Sequence, residues 1–289
     1  VDSVQTIASA QVEGSAGGVT QVRAVAGALI AVAKERNIPV LLVGHVTKDG
    51  GIAGPRVLEH LVDVVTQFEG DRHARLRLLR AVKNRYGPTD EVGCFDLSDA
   101  GITGLADPSG LFLSQRTTQV PGTCVTITLE GRRPLVTEVQ ALVAPSQIPT
   151  PRRATSGLDA ARVSMITAVL DRRAGAPLGK HDIYLSTVGG VRVTEPASDL
   201  AVALALASSL RDQPLPAGTV ALGEVGLAGE VRPATGVARR IAEAARLGFT
   251  RALVPPGVRG SEPVPHGLTV VEVPDVASAV RTSFGGRGS

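Results

Sequence analysis

Two cations at alternating positions are the most suggestive chemical feature of the sequence. Lys83 and Arg85 flank Asn84 in the stretch LRAVKNRYGPTDEVGCF, and a Tyr-Gly-Pro turn follows. An alternating, strand-like segment precedes them, so both cations should lie on the same face of a strand. Taken alone, this pattern is typical of a solvated strand edge.

Polar residues also follow two apolar runs. Asp2 and Ser3 come after a strand-like start, and His45 ends the run IPVLLVGH. A Gly-rich loop, residues 47–55, comes next. An Asp at a strand end is ordinarily a capping or turn residue, and a lone His is ordinarily a hydrogen-bonded polar group.

The elements that must position these residues alternate between strands and helices. VTQVRAVAGALIAVAKERN has helical spacing, with Asn37 as its stop. IPVLLVGHV is a continuous apolar run of the kind that forms a parallel strand. PRVLEHLVDVV starts a second helix at Pro55, and RHARLRLLRAVKNRYG alternates as a strand. This order predicts an α/β fold with a parallel sheet over residues 1–115.

A second α/β domain is predicted over residues 116–289. It opens with strands split by a Gly-Arg-Arg turn, followed by a Pro-rich surface loop, PSQIPTPRRATSG. Helices are predicted at LDAARVSMITAVLDRRAG, ASDLAVALALASSL, GVARRIAEAARLG and VASAVRTS. Strands are predicted at DIYLSTVGGVRVT, TVALGEVGL and RALVPP.

Composition excludes several classes of protein. The chain is 43% hydrophobic but only 2% aromatic, without Trp, so Val, Leu, Ala and Ile must build the core. No apolar run approaches the roughly 20 residues of a membrane span, and no signal peptide is visible. Two cysteines are too few for a disulfide framework or a zinc site, which favours a reducing, cytoplasmic setting.

Charge is distributed unevenly between the two predicted domains. Residues 1–115 carry 11 basic and 13 acidic residues, a net of −2, and residues 116–289 carry 19 and 14, a net of +5. This mild basicity permits a polyanionic partner but does not require one.

Several long motifs resemble one bacterial family. VDSVQT, VLLVGHVTKDGGIAGPRVLEHLVD, KNRYG and LPAGTVALGEVGLAGEVRP resemble the RadA (Sms) family of DNA-repair proteins. The family signature is Lys-Asn-Arg-Phe-Gly, and Tyr86 takes the Phe position here. The resemblance implies a RecA-like ATPase domain from its Walker B strand onward over residues 1–115. It implies a Lon-protease-like domain over residues 116–289.

Part of the family pattern is missing from the 289 residues. No G-x-x-x-x-G-K-[ST] loop, whose backbone and Lys hold nucleotide phosphates, occurs in the sequence. The segment alone is therefore expected to bind ATP poorly, and we expect it to be the C-terminal part of a longer protein. In that longer protein, zinc is expected only in the missing N-terminal part.

The resemblance assigns roles around a nucleotide site. Asp2, with Ser3, fits the Walker B position that holds Mg²⁺ through water. His45 fits a residue that senses the γ-phosphate. Lys83 and Arg85 fit cations that act in trans on the triphosphate bound by a neighbouring subunit.

The resemblance also assigns DNA-facing segments. Residues 8–18 and 47–55 correspond by position to the two DNA-facing loops of RecA-like rings, although Gly-rich loops are also ordinary connectors. Lys48 and Arg56 are the phosphate-contact candidates there. On the second domain, the basic surface offers four candidates that an ordinary solvated face explains equally well: Arg152, Arg153, Arg172 and Arg173.

The second domain departs from the Lon protease pattern at both catalytic positions. Ungapped alignment places Ala197 at the Ser nucleophile and Arg240 at the Lys base. A one-residue slip would restore Ser198, but Lys180 is the last Lys in the chain and Arg cannot act as a general base. We therefore expect no peptidase activity.

The function implied is that of a DNA-repair and recombination ATPase. With ATP and Mg²⁺, the full-length protein would work as a homo-hexameric DNA translocase or helicase on single-stranded and branched DNA. It would promote branch migration, with a RecA-type recombinase as partner and no membrane. The alternative is an ATP-independent scaffold that assembles rings and binds DNA.

Overall fold

A computed structural model describes residues 1–45, 58–70, 75–109, 119–188, 191–261 and 264–285. They form two compact units. The first combines Val1–Phe68 with Leu79–Glu91, and the second combines Glu69–Leu78 with Val92–Ser289. The domain boundary predicted at residue 115 lies outside the described residues, so that division stays a prediction.

The first unit is organised around one long helix. A short 3-10 helix, Val4–Thr6, is followed by α1, Val19–Arg36. Val22 and Val25 of α1 pack against Val4 in a small core. α1 ends at Asn37, whose φ of 51° is left-handed and whose backbone N–H donates to the carbonyls of the last turn. The helix and its stop residue are confirmed.

The apolar run IPVLLVGHV is not the strand that was predicted. A single parallel bridge joins Val43 to Asp2, and the backbone N–H of Val4 donates to Val43 O at 3.0 Å. Ile38 and Leu41 are exposed, so apolar composition alone misled the strand prediction. The bridge nevertheless places the first residues of the chain beside the segment that ends at His45.

Four strands follow in a separate sheet. They are β1 (Val64–Glu69), β2 (Leu76–Asn84), β3 (Val92–Ser98) and β4 (Gly101–Gly104), in the order β1-β2-β3-β4. β3 and β4 are antiparallel, with Phe95 opposite Gly104. β2 confirms the strand predicted from alternation, and it ends at the Asn of the KNRYG motif.

A seven-stranded sheet is the centre of the second unit. Its order is β13-β12-β9-β5-β6-β8-β7. The strands are β5 (Thr123–Glu130), β6 (Arg133–Pro145), β7 (Arg153–Ser156), β8 (His181–Thr187), β9 (Thr219–Ala221), β12 (Arg251–Val254) and β13 (Thr269–Glu272). The sheet is mostly parallel, and β5 and β6 form an antiparallel hairpin about Gly131, as the Gly-Arg-Arg turn predicted. β10 (Glu224–Val225) and β11 (Val231–Arg232) form a separate ribbon.

Helices cover both faces of this sheet. They are α2 (Ala160–Arg173), α3 (Asp199–Arg211), α4 (Val237–Arg246), α5 (Val258–Ser261) and α6 (Val276–Phe284). One apolar cluster joins α2, α3 and α6 to one face, and a second joins α4 to the other. Side chains of successive residues on β12 alternate between the two clusters, as a strand covered on both faces requires. The α/β fold class is confirmed.

The predicted Pro-rich surface loop contains a strand. β7 pairs in parallel with β8, so Arg153 stands opposite Ile183 at the edge of the sheet. Among the described residues, no helix is long and apolar enough to cross a membrane.

Candidate functional site

The first unit brings the predicted magnesium and sensor residues onto neighbouring segments. Asp2 is bridged to Val43, two residues before His45. Both side chains are exposed, and that of Asp2 makes no hydrogen bond or ion pair with the described residues. Ser3 is buried, and its backbone carbonyl accepts from Thr6 Oγ1 at 2.8 Å. An exposed carboxylate held by a backbone bridge is compatible with water-mediated Mg²⁺ binding.

Gln5 links these two segments, and sequence analysis missed it. Its Nε2 donates to the carbonyl of His45 at 3.3 Å. A Cβ on Gly44 would lie 3.3 Å from the same nitrogen, so the small residue lets the amide approach closely. Gln5 therefore fixes the backbone at the sensor position from the 3-10 helix that follows Asp2.

The two cations of the KNRYG motif, Lys83 and Arg85, differ in exposure and in their hydrogen-bond partners. Lys83 Nζ donates to the carbonyl oxygens of Glu59 at 2.7 Å and Val62 at 2.8 Å, which binds it to its own subunit. Arg85 keeps 70% of its side chain exposed, with one contact of 3.1 Å to Asp63. Arg85 is therefore the cation of the pair that is free to reach another molecule.

The remaining residues of the motif shape the turn. Asn84 accepts from the backbone N–H of Tyr86 at 3.1 Å and donates to Pro88 O at 3.1 Å. This Asx-type bonding stabilises the turn that follows Arg85. Tyr86 is 77% exposed, so its ring does not pack against the motif.

The described contacts do not join the two predicted halves of the nucleotide site. Within the described residues, no hydrogen bond or ion pair connects Lys83 or Arg85 with Asp2 or His45. Lys48, Arg56 and the loop of residues 47–55 lie outside the described residues, so their DNA-facing role stays a prediction.

The basic pair of the second unit is anchored to the sheet edge. Arg153 donates to the carbonyls of His181 and Leu178. The backbone N–H of Arg152 donates to Asp182 at 2.8 Å and lowers the pKa of that carboxyl. The side chain of Arg152 stays exposed. Arg172 and Arg173 lie exposed in the last turn of α2. All four DNA contacts stay predictions, and the side chain of Arg152 is freer than that of Arg153.

A cleft of about 400 Å³ lies beside the anchored pair. Its polar lining includes Gln140, Ser156 and Ser186, and its aromatic wall is Tyr184. These residues come from three strands that are distant in sequence, so no local pattern indicated the cleft.

A buried ion pair lies where the sequence aligns with the catalytic Ser and Lys of Lon proteases. Arg240 is 1% exposed, and its guanidinium donates to both carboxylate oxygens of Glu195 at 2.6 Å. Glu195 stands two residues before Ala197, which is itself buried. The two positions aligned from sequence are thus joined through a carboxylate that sequence analysis did not identify.

The ion pair is tied to the sheet. Arg240 also donates to the carbonyls of Thr235 and Ile127, and Glu195 accepts from the backbone N–H of Leu129 at 2.9 Å. Ser198, the other nucleophile candidate, is 3% exposed and donates to the carbonyl of Glu195 at 3.0 Å. This bond ties the hydroxyl to a carbonyl oxygen, which is not a general base.

A second carboxylate–guanidinium pair lies at the start of α3. Asp199 is 1% exposed, accepts from Arg162 Nε at 2.6 Å and accepts from the backbone N–H of Val225 at 3.0 Å. It fixes α3 to α2 and β10 directly after Ser198. The buried polar residues around Ser198 therefore connect α2, α3 and β10 and have a structural role.

Comparison with known proteins finds one family model and several similar proteins. Residues 165–257, in the second unit, match the family described as Subunit ChlI of Mg-chelatase. Nearly the whole chain is similar to proteins named DNA repair protein RadA. That of Mycolicibacterium smegmatis is 58% identical over 286 residues, which are 98% of this chain and 60% of that protein. That of Mycobacterium tuberculosis H37Rv is 58% identical over 281 residues, 97% of this chain and 58% of that protein. That of Bacillus subtilis is 46% identical over 286 residues, 99% of this chain and 62% of that protein.

The relatives that match are bacterial proteins whose names refer to DNA repair. The chain is therefore similar, over nearly its whole length, to the family that its motifs resemble. It spans about three-fifths of the length of the curated relatives it matches.

Proposed function

We propose that this chain is part of a RadA-type DNA-repair ATPase in which each nucleotide site is shared between two subunits. The observation that carries the proposal is the contrast within KNRYG. Lys83 and Asn84 are bonded to their own subunit, whereas Arg85 is exposed and pairs with Asp63 through one contact. An Arg beside a shaped turn, with most of its side chain exposed and one contact to Asp63, suits contact with a triphosphate on a neighbouring subunit.

In this proposal, residues 1–115 are the RecA-like part and supply both sides of the shared site. Asp2, with Ser3, would hold Mg²⁺ through water, and the ion would neutralise charge on the ATP phosphates. His45 would sense the γ-phosphate. The phosphate-binding loop lies outside these 289 residues, so ATP binding requires the full-length protein, and zinc belongs to that remainder.

The DNA-related part of the proposal rests on the family and on position. Full-length subunits would form a hexameric ring that moves on single-stranded and branched DNA in the cytoplasm. It would extend recombination intermediates with a RecA-type recombinase. Lys48, Arg56, Arg152 and Arg153 would contact DNA phosphates. A translocating ring would gain affinity from such contacts without reading base sequence.

The second domain would act as a Lon-like assembly and DNA-binding module without peptidase activity. Its support is that Arg240, bound to Glu195, occupies the position that aligns with the Lys base. Arg cannot lose its proton at ordinary pH, so it cannot activate a hydroxyl nucleophile.

ATP hydrolysis by two lengths of the protein tests this function. With Mg²⁺, the full-length protein should hydrolyse ATP faster when single-stranded DNA is present, and the 289-residue chain should not hydrolyse it. Full-length protein lacking the phosphate-loop Lys is the control for contaminating ATPase. Under the scaffold alternative, both lengths would bind DNA and neither would hydrolyse ATP, and that result would overturn the proposal.

A further inference from the structure

A single buried amide organises the loop of residues 8–18. Gln21 lies in the first turn of α1 and is 2% exposed. Its Oε1 accepts from the backbone N–H of Ser9 at 2.7 Å. Its Nε2 faces three carbonyl oxygens, those of Ser9 at 3.1 Å, Val12 at 2.6 Å and Gly14 at 3.3 Å. One side chain therefore contacts the loop at three points along its length.

The chemistry of these contacts requires an amide in one orientation. The loop presents one N–H and three carbonyls to Gln21, and only an amide offers both an acceptor and donors at its end. A carboxylate would place an oxygen against three carbonyl oxygens. An apolar side chain of equal size would leave all four loop groups without this partner.

The loop conformation depends on further local features. Gly14 and Gly17 have φ values of 113° and 84°, which L side chains rarely adopt. A Cβ on Gly17 would lie 3.4 Å from the carbonyl oxygen of Gln5. The loop thus closes against the 3-10 helix that begins two residues after Asp2, while Gln5 also contacts the carbonyl of His45.

We propose that Gln21 is a positioning residue that holds residues 8–18 in the shape in which DNA binding stimulates ATP hydrolysis. This inference rests on the proposed function. Gln21 itself touches neither DNA nor nucleotide, because its amide is buried and fully engaged with the loop backbone. Its contribution is to keep the loop in register with the 3-10 helix beside Asp2 and His45.

The test uses full-length protein with Gln21→Met and Gln21→Glu, which keep the side-chain size and remove the hydrogen-bond pattern. Thr20→Ala, an exposed neighbour in the same helical turn, is the matched control. Both Gln21 variants should keep the DNA-free rate of ATP hydrolysis and lose stimulation by single-stranded DNA by about tenfold, within the usual range for coupling between sites. Thr20→Ala should be stimulated like the parent protein.

Cleavage of the loop gives a second readout that does not depend on catalysis. Residues 8–18 contain one acidic residue, the exposed Glu13, so a glutamate-specific protease reports on the loop. Cleavage after Glu13 should be faster in both Gln21 variants than in the parent and Thr20→Ala. Parent-like cleavage in Gln21→Met would overturn the inference, as would parent-like DNA stimulation. A parent protein without DNA-stimulated ATPase would refute the proposed function instead, and the cleavage rates would still decide whether Gln21 positions the loop.

Discussion

Replacing Arg240 by Met should destabilise the second unit by about 3 kcal/mol. The side chain is 1% exposed. Without it, the Glu195 carboxylate keeps only the hydrogen bond from the Leu129 backbone N–H among its described contacts. Breaking a buried pair by removing one partner costs roughly 3–5 kcal/mol. The lower end applies because 25% of the Glu195 side chain reaches solvent.

The carbonyls of Thr235 and Ile127 add to this cost, since both accept from Arg240 in the folded protein. Arg240→Lys should recover only part of the stability, because an ammonium cannot bond both carboxylate oxygens and two carbonyls in the same fork geometry. In the double variant Glu195→Gln with Arg240→Met, the uncompensated charge is gone. Its loss of stability should fall short of the sum of the single losses by roughly 0.5–3 kcal/mol.

Urea unfolding followed by far-ultraviolet circular dichroism measures these changes. The chain has no Trp, so intrinsic indole fluorescence cannot report the transition. Arg239→Met is the matched control, because Arg239 is the preceding residue of α4 and is exposed. The control should stay within about 0.5 kcal/mol of the parent. If Arg240→Met is as stable as Arg239→Met, the ion pair does not hold the unit together and the reasoning fails.

Three further predictions concern the second unit. Unfolded casein should remain intact with and without ATP, and cleavage that Ser198→Ala abolishes would contradict the inactive assignment. The hydrogen bond from the Ser278 backbone N–H lowers the pKa of Asp275. The stabilisation of α6 by the Asp275 carboxylate is therefore present above the usual pKa of about 3.9 and is lost as the pH falls through the lower folded value. Asp275→Asn should weaken the dependence of the thermal unfolding temperature on acid pH, and an unchanged dependence would contradict this prediction. Gly122→Ala should lower the free energy of unfolding in urea by about 1–3 kcal/mol or more, because the new Cβ would overlap the carbonyl of Ala141. Gly248→Ala is the control and should cost less, since Gly248 has a similar φ of 82° and open space around it. Equal losses would contradict the overlap argument.

Local signals in the sequence predicted much of the fold. The spacing of Val22 and Val25, with Asn37 as stop, predicted α1, and the Gly-Arg-Arg turn predicted the hairpin of β5 and β6. These features depend on neighbours within a few residues, which a single sequence displays. The α/β class followed from their order along the chain.

The features that sequence reasoning missed depend on distant partners. β7 was read as a loop because its Pro-rich flank hid four residues that pair with β8, about 30 residues further on. The run ending at His45 was read as a strand, since apolar composition does not reveal that Val43 makes one bridge.

In the candidate sites, too, the sequence showed local features and missed contacts between distant residues. Alignment located Arg240 but could not show Glu195, because the pair is joined across 45 residues. Gln21 looked like an ordinary polar residue in a helix, although its burial beside a glycine-containing loop sets that loop. Lys83 and Arg85 looked equivalent from their alternation, and the carbonyls of the preceding segment distinguish them.

The central claim is that Arg85 completes the ATP site of a neighbouring subunit. In full-length protein, Arg85→Ala should lower ATP hydrolysis by roughly 10³–10⁵, the contribution of such Arg residues in other phosphoryl-transfer enzymes. Lys83→Ala should instead lower both activity and thermal stability, since Lys83 holds two carbonyls of its own subunit. Arg23→Ala, at an exposed position on α1, is the control and should be unaffected.

The most direct test mixes two inactive proteins. Arg85→Ala subunits retain the phosphate loop, and subunits lacking the phosphate-loop Lys retain Arg85, so some interfaces in a mixed ring combine two intact halves. ATP hydrolysis, absent in each protein alone, should return on mixing. Normal hydrolysis by Arg85→Ala alone, or a defect that no mixing ratio repairs, would contradict the shared site.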